Sequence, residues 1–194
     1  AVATVAKPIE LIDQRVMLVD RSAKRRLLID IVGASDVERA IVFTRTKRGA
    51  DKVQRSLSDA GLSAAAIHGN KSQNQRTKAL DAFKSGKVTI LVATDIAARG
   101  IDVENVSHVV NFELPNIPES YVHRIGRTAR AGKTGVAVSL CDGAEREYLR
   151  DIEKLVGYKI RSTGDGGGGD EPETRRGGRN GNRNGNGNRQ PRSG

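Results

Sequence analysis

The stretch Thr89-Ile-Leu-Val-Ala-Thr-Asp-Ile-Ala-Ala-Arg-Gly-Ile-Asp102 decides the fold. Residues 89–93 form a short run without polar alternation, the pattern of a strand covered on both faces. Such strands belong to parallel sheets with helices on either side. Ligands of those sheets sit beyond the carboxyl ends of the strands. In this stretch that place is taken by Thr94, Asp95, Arg99, Gly100 and Asp102.

The same alternation continues outward. Residues 14–19, 40–43, 64–67, 108–112 and 136–140 read as strands, mostly apolar and short. Residues 23–32, 47–60, 119–129 and 144–156 carry helical periodicity. Another helix is predicted from Ser72, as N-cap, to Ser85. Gly61 and Gly86 stand where two of the helices must close. The fold class is therefore α/β, a parallel sheet with helices on both faces.

The other strands repeat the pattern of the first. After residue 43 come Thr44, Arg45, Thr46 and Lys47; after Ile67 come His68, Gly69 and Asn70, then Gln73 and Arg76. Phe112 is followed by Glu113 and Pro115. Thr44 and Thr94 are placed to offer hydroxyls to phosphate oxygens, as are the N–H groups at the following helix starts. Gly69 and Gly100 allow close backbone approach. Singly, each has an ordinary explanation as cap, turn or solvated cation. Their joint occurrence at consecutive strand ends points to a phosphate-bearing ligand.

Composition agrees. The 194 residues hold 33 basic and 23 acidic side chains, a formal charge of +10, which favours a polyanionic partner over a merely solvated surface. Aromatics are only 3%, so phosphate contacts outweigh base stacking. The single Cys141, in an apolar run, excludes an intrachain disulfide or a Cys-based zinc site and reads as a buried reduced thiol. No apolar run is long enough to span a membrane and no signal peptide opens the chain, so a cytoplasmic location is expected. The chain opens on Ala1 rather than Met, which fits a fragment or a processed chain.

Near residue 161 the composition changes. Gly164-Asp-Gly-Gly-Gly-Gly-Asp170 reads as a flexible linker. Residues 175–194 hold six arginines, five asparagines, many glycines and no acid, so residues 161–194 read as a disordered basic tail suited to salt-sensitive RNA binding or to solubility.

His123-Arg-Ile-Gly-Arg-Thr-Ala-Arg-Ala-Gly-Lys-Thr-Gly135 contains a false lead. Its Gly-Lys-Thr resembles the end of a phosphate loop, but the first glycine of that motif would fall on Arg127. The order is also reversed, running from helix into strand, so Gly132 and Gly135 read as turn residues. No acidic box follows a strand to hold Mg²⁺. Arg124, Arg127 and Arg130, three apart, would lie near one helix face and call for an anion. With no nucleotide cradle in the sequence, the anion is read as a triphosphate on a second domain, with the arginines as fingers on its γ-phosphoryl group.

Four motifs in order then resemble those of the C-terminal RecA-like domain of DEAD-box RNA helicases, of the bacterial RhlE type. They are Ile41-Val-Phe-Thr-Arg-Thr-Lys47; His68-Gly-Asn with Gln73-Asn-Gln-Arg76; Ala93-Thr-Asp-Ile-Ala-Ala-Arg-Gly-Ile-Asp102; and His123-Arg-Ile-Gly-Arg-Thr-Ala-Arg130. The resemblance implies a RecA-like domain over residues 12–160, an interdomain linker over 1–11 and the tail over 161–194. It implies catalytic finger roles for Arg127 and Arg130, ATP binding by Asp102, Arg127, Arg130 and Gly100, and RNA-backbone binding by Thr44, Gly69, Arg76, Thr94 and Gly100. His123, Arg124, Asp95 and Arg99 would couple the two sites. Ala129 stands where many relatives have Gly. ATP and Mg²⁺ are the implied cofactors, the metal being held by an N-terminal domain. RNA and that domain are the implied partners, with the ribosome or the RNA-decay machinery as candidates for the tail. Alone, the chain is expected to be inactive. Two other functions remain open: a stand-alone RNA-binding module, and half of a DNA-remodelling helicase.

Overall fold

A computed structural model of the protein describes residues 9–103, 106–129 and 133–164. Seven strands form one sheet in the order β3-β4-β2-β5-β6-β1-β7, and every pairing is parallel. They are β1 (Ile12–Leu18), β2 (Ala40–Thr44), β3 (Ala64–Ile67), β4 (Ile90–Thr94), β5 (His108–Asn111), β6 (Gly135–Cys141) and β7 (Arg161–Thr163). The helices are α1 (Lys24–Val32), α2 (Lys47–Asp59), α3 (Gln73–Lys84), the single turn α4 (Asp95–Ala98), α5 (Pro118–Ile125) and α6 (Arg146–Val156).

Strand periodicity divides the core in two. In β2, Ile41 and Phe43 face one layer, while Ala40 and Val42 face the other. In β4, Leu91 and Ala93 oppose Ile90 and Val92 in the same way. The first layer is closed by Phe83 of α3, Tyr121 and Ile125 of α5, and Leu149 and Ile152 of α6. The second is closed by Leu28 and Val32 of α1 and by Ala50, Val53 and Leu57 of α2. This two-sided cover is why the central strands carry no polar alternation.

Local chemistry sets the helix ends as expected. Ser72 and Gln75 form a reciprocal capping box at α3. Gly61 and Gly86 adopt φ of +80° and +79° just beyond α2 and α3. Three features differ from expectation. β7 lies within the segment given to the tail; its three residues are exposed and pair with Arg15–Met17 at the sheet edge. α5 stops at Ile125, not 129, because Arg127 and Thr128 bond back three residues, to Arg124 and Ile125, instead of four. Gly135 is the first residue of β6 rather than a turn, and Gly132 lies outside the described residues. Cys141 is buried as expected, and burial, first among the causes, pushes its thiol up to about 11.

Gly135 is fixed by crowding. A Cβ there would lie 2.1 Å from Thr128 Oγ1 and 2.7 Å from the Ala129 backbone nitrogen. Gly135→Ala is expected to destabilise the chain by about 1–3 kcal/mol, the usual cost of overpacking. Urea unfolding followed by circular dichroism measures it; an unchanged midpoint would contradict this packing.

Candidate functional site at the carboxyl edge of the sheet

β2 and β4 end side by side, with Thr44 opposite Thr94. Thr44 is buried and its hydroxyl donates to Thr46 O at 3.2 Å. Thr46 in turn caps α2, accepting from the Gly49 N–H at 3.0 Å. The chain leaving Thr94 turns at once into α4, which begins with Asp95.

Asp95 meets Arg124 across this edge in a two-pronged ion pair. Arg124 Nε donates to Oδ1 at 2.6 Å and Nη2 donates to Oδ2 at 2.7 Å. Arg124 Nη1 donates to Glu113 O at 2.7 Å and to Asn111 Oδ1 at 3.2 Å. The guanidinium lies 5.0 Å from the Phe43 ring centroid, and the Arg124 side chain is only 1% exposed. Asn111 is held in place by donating to Ser139 Oγ at 3.0 Å. One buried cation thus ties together β4, β5, β6 and α5. Carboxylate, carbonyl and amide oxygens replace the water it has lost.

A cavity of about 540 Å³ opens beside this pair. Asp95, Arg99 and Gly100 line it from the β4 side, and His123, Arg124 and Arg127 from the α5 side. Arg127 donates from Nη1 to Ile101 O and from Nη2 to Ala98 O, both at 2.9 Å, so it closes the loop after α4. His123, Arg99 and Asp102 are exposed. Gly100 takes φ +74° with open space around its Cα, so its backbone conformation, not crowding, asks for glycine. Ala129 takes φ +56°, a left-handed conformation that strains a residue with a Cβ. It is the only non-glycine with positive φ among the described residues.

The remaining expected residues lie outside the cavity lining. Gly69 packs against Lys47, whose Cε would be 3.0 Å from a Cβ at that position. Lys47 Nζ donates to Asn70 Oδ1 at 3.1 Å. Arg76 stands in the first turn of α3 with its Nε buried and unpartnered. His68 is buried, accepts from the Asn70 N–H at Nδ1, and brings Nε2 to 2.9 Å from Asp51. Burial raises the Asp51 carboxyl, but its contacts with His68 and Lys71 outweigh that and leave it below the usual range. Arg130 lies outside the described residues.

The expected helical stripe of Arg124, Arg127 and Arg130 is corrected on two counts. α5 ends before Arg127, and the anion facing Arg124 belongs to this chain, being Asp95. Asn111, Ser139 and the Phe43 ring were not singled out from the sequence. The available signal was a polar residue inside each of two apolar strand runs, at 111 and at 139. Among the described residues no group of three or more His, Cys, Asp or Glu is arranged to hold a metal. No helix among them is long and apolar enough to cross a membrane.

Residues 23–132 match the helicase conserved C-terminal domain. The chain is 46% identical over 151 residues to the ATP-dependent RNA helicase CshA of Listeria monocytogenes, covering 78% of this chain and 29% of that one. In structure it is similar to the Escherichia coli DEAD-box protein SrmB bound to regulator of ribonuclease activity A, with TM-score 0.74 and 35% identity, covering 78% of this chain and 89% of that one. It is also similar to Saccharomyces cerevisiae Dbp5 bound to RNA and ADP BeF3, with TM-score 0.73 and 32% identity, covering 79% and 42%. The chain belongs to the C-terminal helicase domain family of DEAD-box proteins, and its parallel sheet is the RecA-like fold. It spans about a third or less of the length of the curated relatives it matches, 33% and 29% for the first two.

Arg124→Ala is expected to cost about 3 kcal/mol, near the lower end for breaking a buried pair, because Asp95 keeps 30% exposure and can rehydrate. Arg124→Lys recovers little of this, since an ammonium cannot form both prongs. Gly100→Ala is expected to cost about 1 kcal/mol, all of it backbone strain. Denaturant midpoints at pH 7 measure all three; an Arg124→Ala midpoint equal to wild type would contradict the buried pair.

Proposed function

We propose that this chain forms the second half of the catalytic core of an ATP-dependent RNA helicase of the RhlE type. The carrying observation is the cavity, in which Arg99, His123 and Arg127 stand around the buried Asp95–Arg124 pair at the carboxyl edge of the sheet. The Arg99 and Arg127 guanidinium groups there suit a polyphosphate, yet the sequence holds no phosphate loop. An N-terminal RecA-like domain that presents the nucleotide supplies one. That domain would hold the Mg²⁺, whose charge neutralises the phosphate oxygens.

In this reading Arg127 and Arg130 are the fingers on the γ-phosphoryl group, and Asp102 and Gly100 border the nucleotide. Thr44, Gly69, Arg76 and Thr94, with the backbone at Gly100, form the RNA-backbone edge along β3, β4 and β2. The Asp95–Arg124 pair and its neighbours Arg99 and His123 connect the two groups. The link is short, since Thr94 and Asp95 are consecutive in sequence. Before closure the Arg127 bonds to Ile101 O and Ala98 O keep the finger loop compact; when the two domains close on ATP and RNA, bending one strand destabilises short duplexes. The RNA and nucleotide bound to the similar Dbp5 support this reading. Residues 1–11 then serve as linker, and the residues beyond β7, 164–194, as a basic tail that adds salt-sensitive RNA contacts in the cytoplasm and offers a site to the ribosome or the RNA-decay machinery.

The chain is to be joined to an N-terminal RecA-like domain and its RNA-stimulated ATPase measured. Arg127→Ala and Arg130→Ala are each expected to lower kcat by about 10³-fold, the lower end for arginine fingers, while RNA binding persists. Wild-type rates in both variants would overturn the finger assignment.

A further inference from the structure

We propose that Lys24 and Glu145 are positioning residues that hold Arg124 in place, acting through the turn Phe112-Glu113-Leu114. Neither belongs to the four sequence motifs, and they lie 121 residues apart. Both are almost fully buried, at 2% and 1% exposure, and they form a direct ion pair.

The pair grips the turn from both sides. Lys24 Nζ donates to Phe112 O at 3.0 Å, and Glu145 Oε1 accepts from the Leu114 N–H at 3.1 Å. The residue between them, Glu113, supplies the carbonyl that accepts from Arg124 Nη1 at 2.7 Å. Its carboxylate accepts from Arg45 Nε at 3.2 Å, and Arg45 also approaches Glu145 Oε1 at 3.4 Å. The other oxygen of Glu145 accepts from the Asp142 N–H at 3.1 Å, which anchors the clamp to the end of β6. Lys24 lies 3.4 Å from Asp142 Oδ2, so its charge faces two carboxylates.

Packing alone does not require this arrangement. Two buried charges cost desolvation that an apolar pair of the same volume avoids. What they add is geometry: the two peptide groups of the turn, 112–113 and 113–114, are each held by one buried charged side chain. The second, gripped through its Leu114 N–H, also carries the Glu113 carbonyl that bonds the guanidinium at the centre of the site. Through it, the height of Glu113 O above β5 sets how far Arg124 extends toward Asp95.

Lys24→Met alone would leave the buried Glu145 carboxylate with only the partly exposed Arg45 as counter-charge and risks unfolding the chain, so the deciding variant is the double substitution Lys24→Met with Glu145→Gln. That pair is uncharged and close in volume. A glutamine has one acceptor oxygen and cannot serve both the Leu114 and the Asp142 N–H groups. Two measurements are made on the 194-residue chain by nuclear magnetic resonance. The first is the Nε–Hε signal of Arg124; the second is amide exchange at Leu114, with Val92 in β4 as the control. The expected result is a shifted Arg124 signal and at least a tenfold faster exchange at Leu114, with Val92 unchanged. An unmoved Arg124 signal, or faster exchange at Leu114 only in step with Val92, overturns the proposal.

The proposal rests on the functional reading only for its consequence, which a separate measurement tests. In the chain joined to an N-terminal domain, the double variant is expected to lose at least tenfold in RNA-stimulated kcat with the KM for ATP unchanged. If Arg124 moves but kcat does not, the clamp stands and the assigned role of Arg124 in coupling falls.

Discussion

Arg124 holds a full positive charge at 1% exposure in the layer between the sheet and α5. A cation there is tolerable only if oxygen atoms replace its water on nearly every side. Asp95 supplies two, Asn111 and Glu113 one each, and the Phe43 ring covers the guanidinium face. Those partners come from β2, from α4 directly after β4, and from β5 and the turn that follows it. The relative heights of the strand ends, the turn into α4 and the seat of α5 are therefore set together by one side chain.

That constraint explains the shape of the site. Asp95 faces Arg124 from the first residue of α4, which is only one turn long, and the chain leaves it through the positive φ of Gly100. Arg127, released from the helix by the tightened turns after Ile125, closes the loop onto Ala98 and Ile101. Ala129 is left-handed, and the start of β6 at Gly135 lies against Thr128 and the Ala129 nitrogen, where a Cβ would not fit. Local cost of this kind persists when the surrounding packing over-determines the backbone.

Much of this was legible in the sequence because it depends on short-range rules. Apolar runs bounded by glycine gave the strands and most helices to within a few residues, and Ser72 marked its helix through a capping box only three residues wide. The motif residues at the strand ends fell at one edge because a parallel sheet puts every carboxyl end on the same side. Failures came where distant groups compete with local preference. Helical periodicity continued past Ile125, yet the backbone tightens to three-residue bonds there and the Arg127 side chain bonds Ala98 and Ile101 instead of lying along the stripe. β7 was invisible because three exposed polar residues show no pattern until β1 offers them a free edge.

The sequence by itself determined the layered α/β class, the family to which the domain belongs and the edge at which the motif residues gather. All three follow from periodicity and from motifs whose residues are close in the chain. Only the tertiary structure decided which anion each buried cation meets. Arg124 finds Asp95, 29 positions away, and Lys24 finds Glu145, 121 positions away. Charge pairing at such separations leaves no trace in local pattern, since any carboxylate satisfies an arginine on paper. Burial makes the choice, because a charge removed from water is stable only beside the particular partner that the fold brings to it.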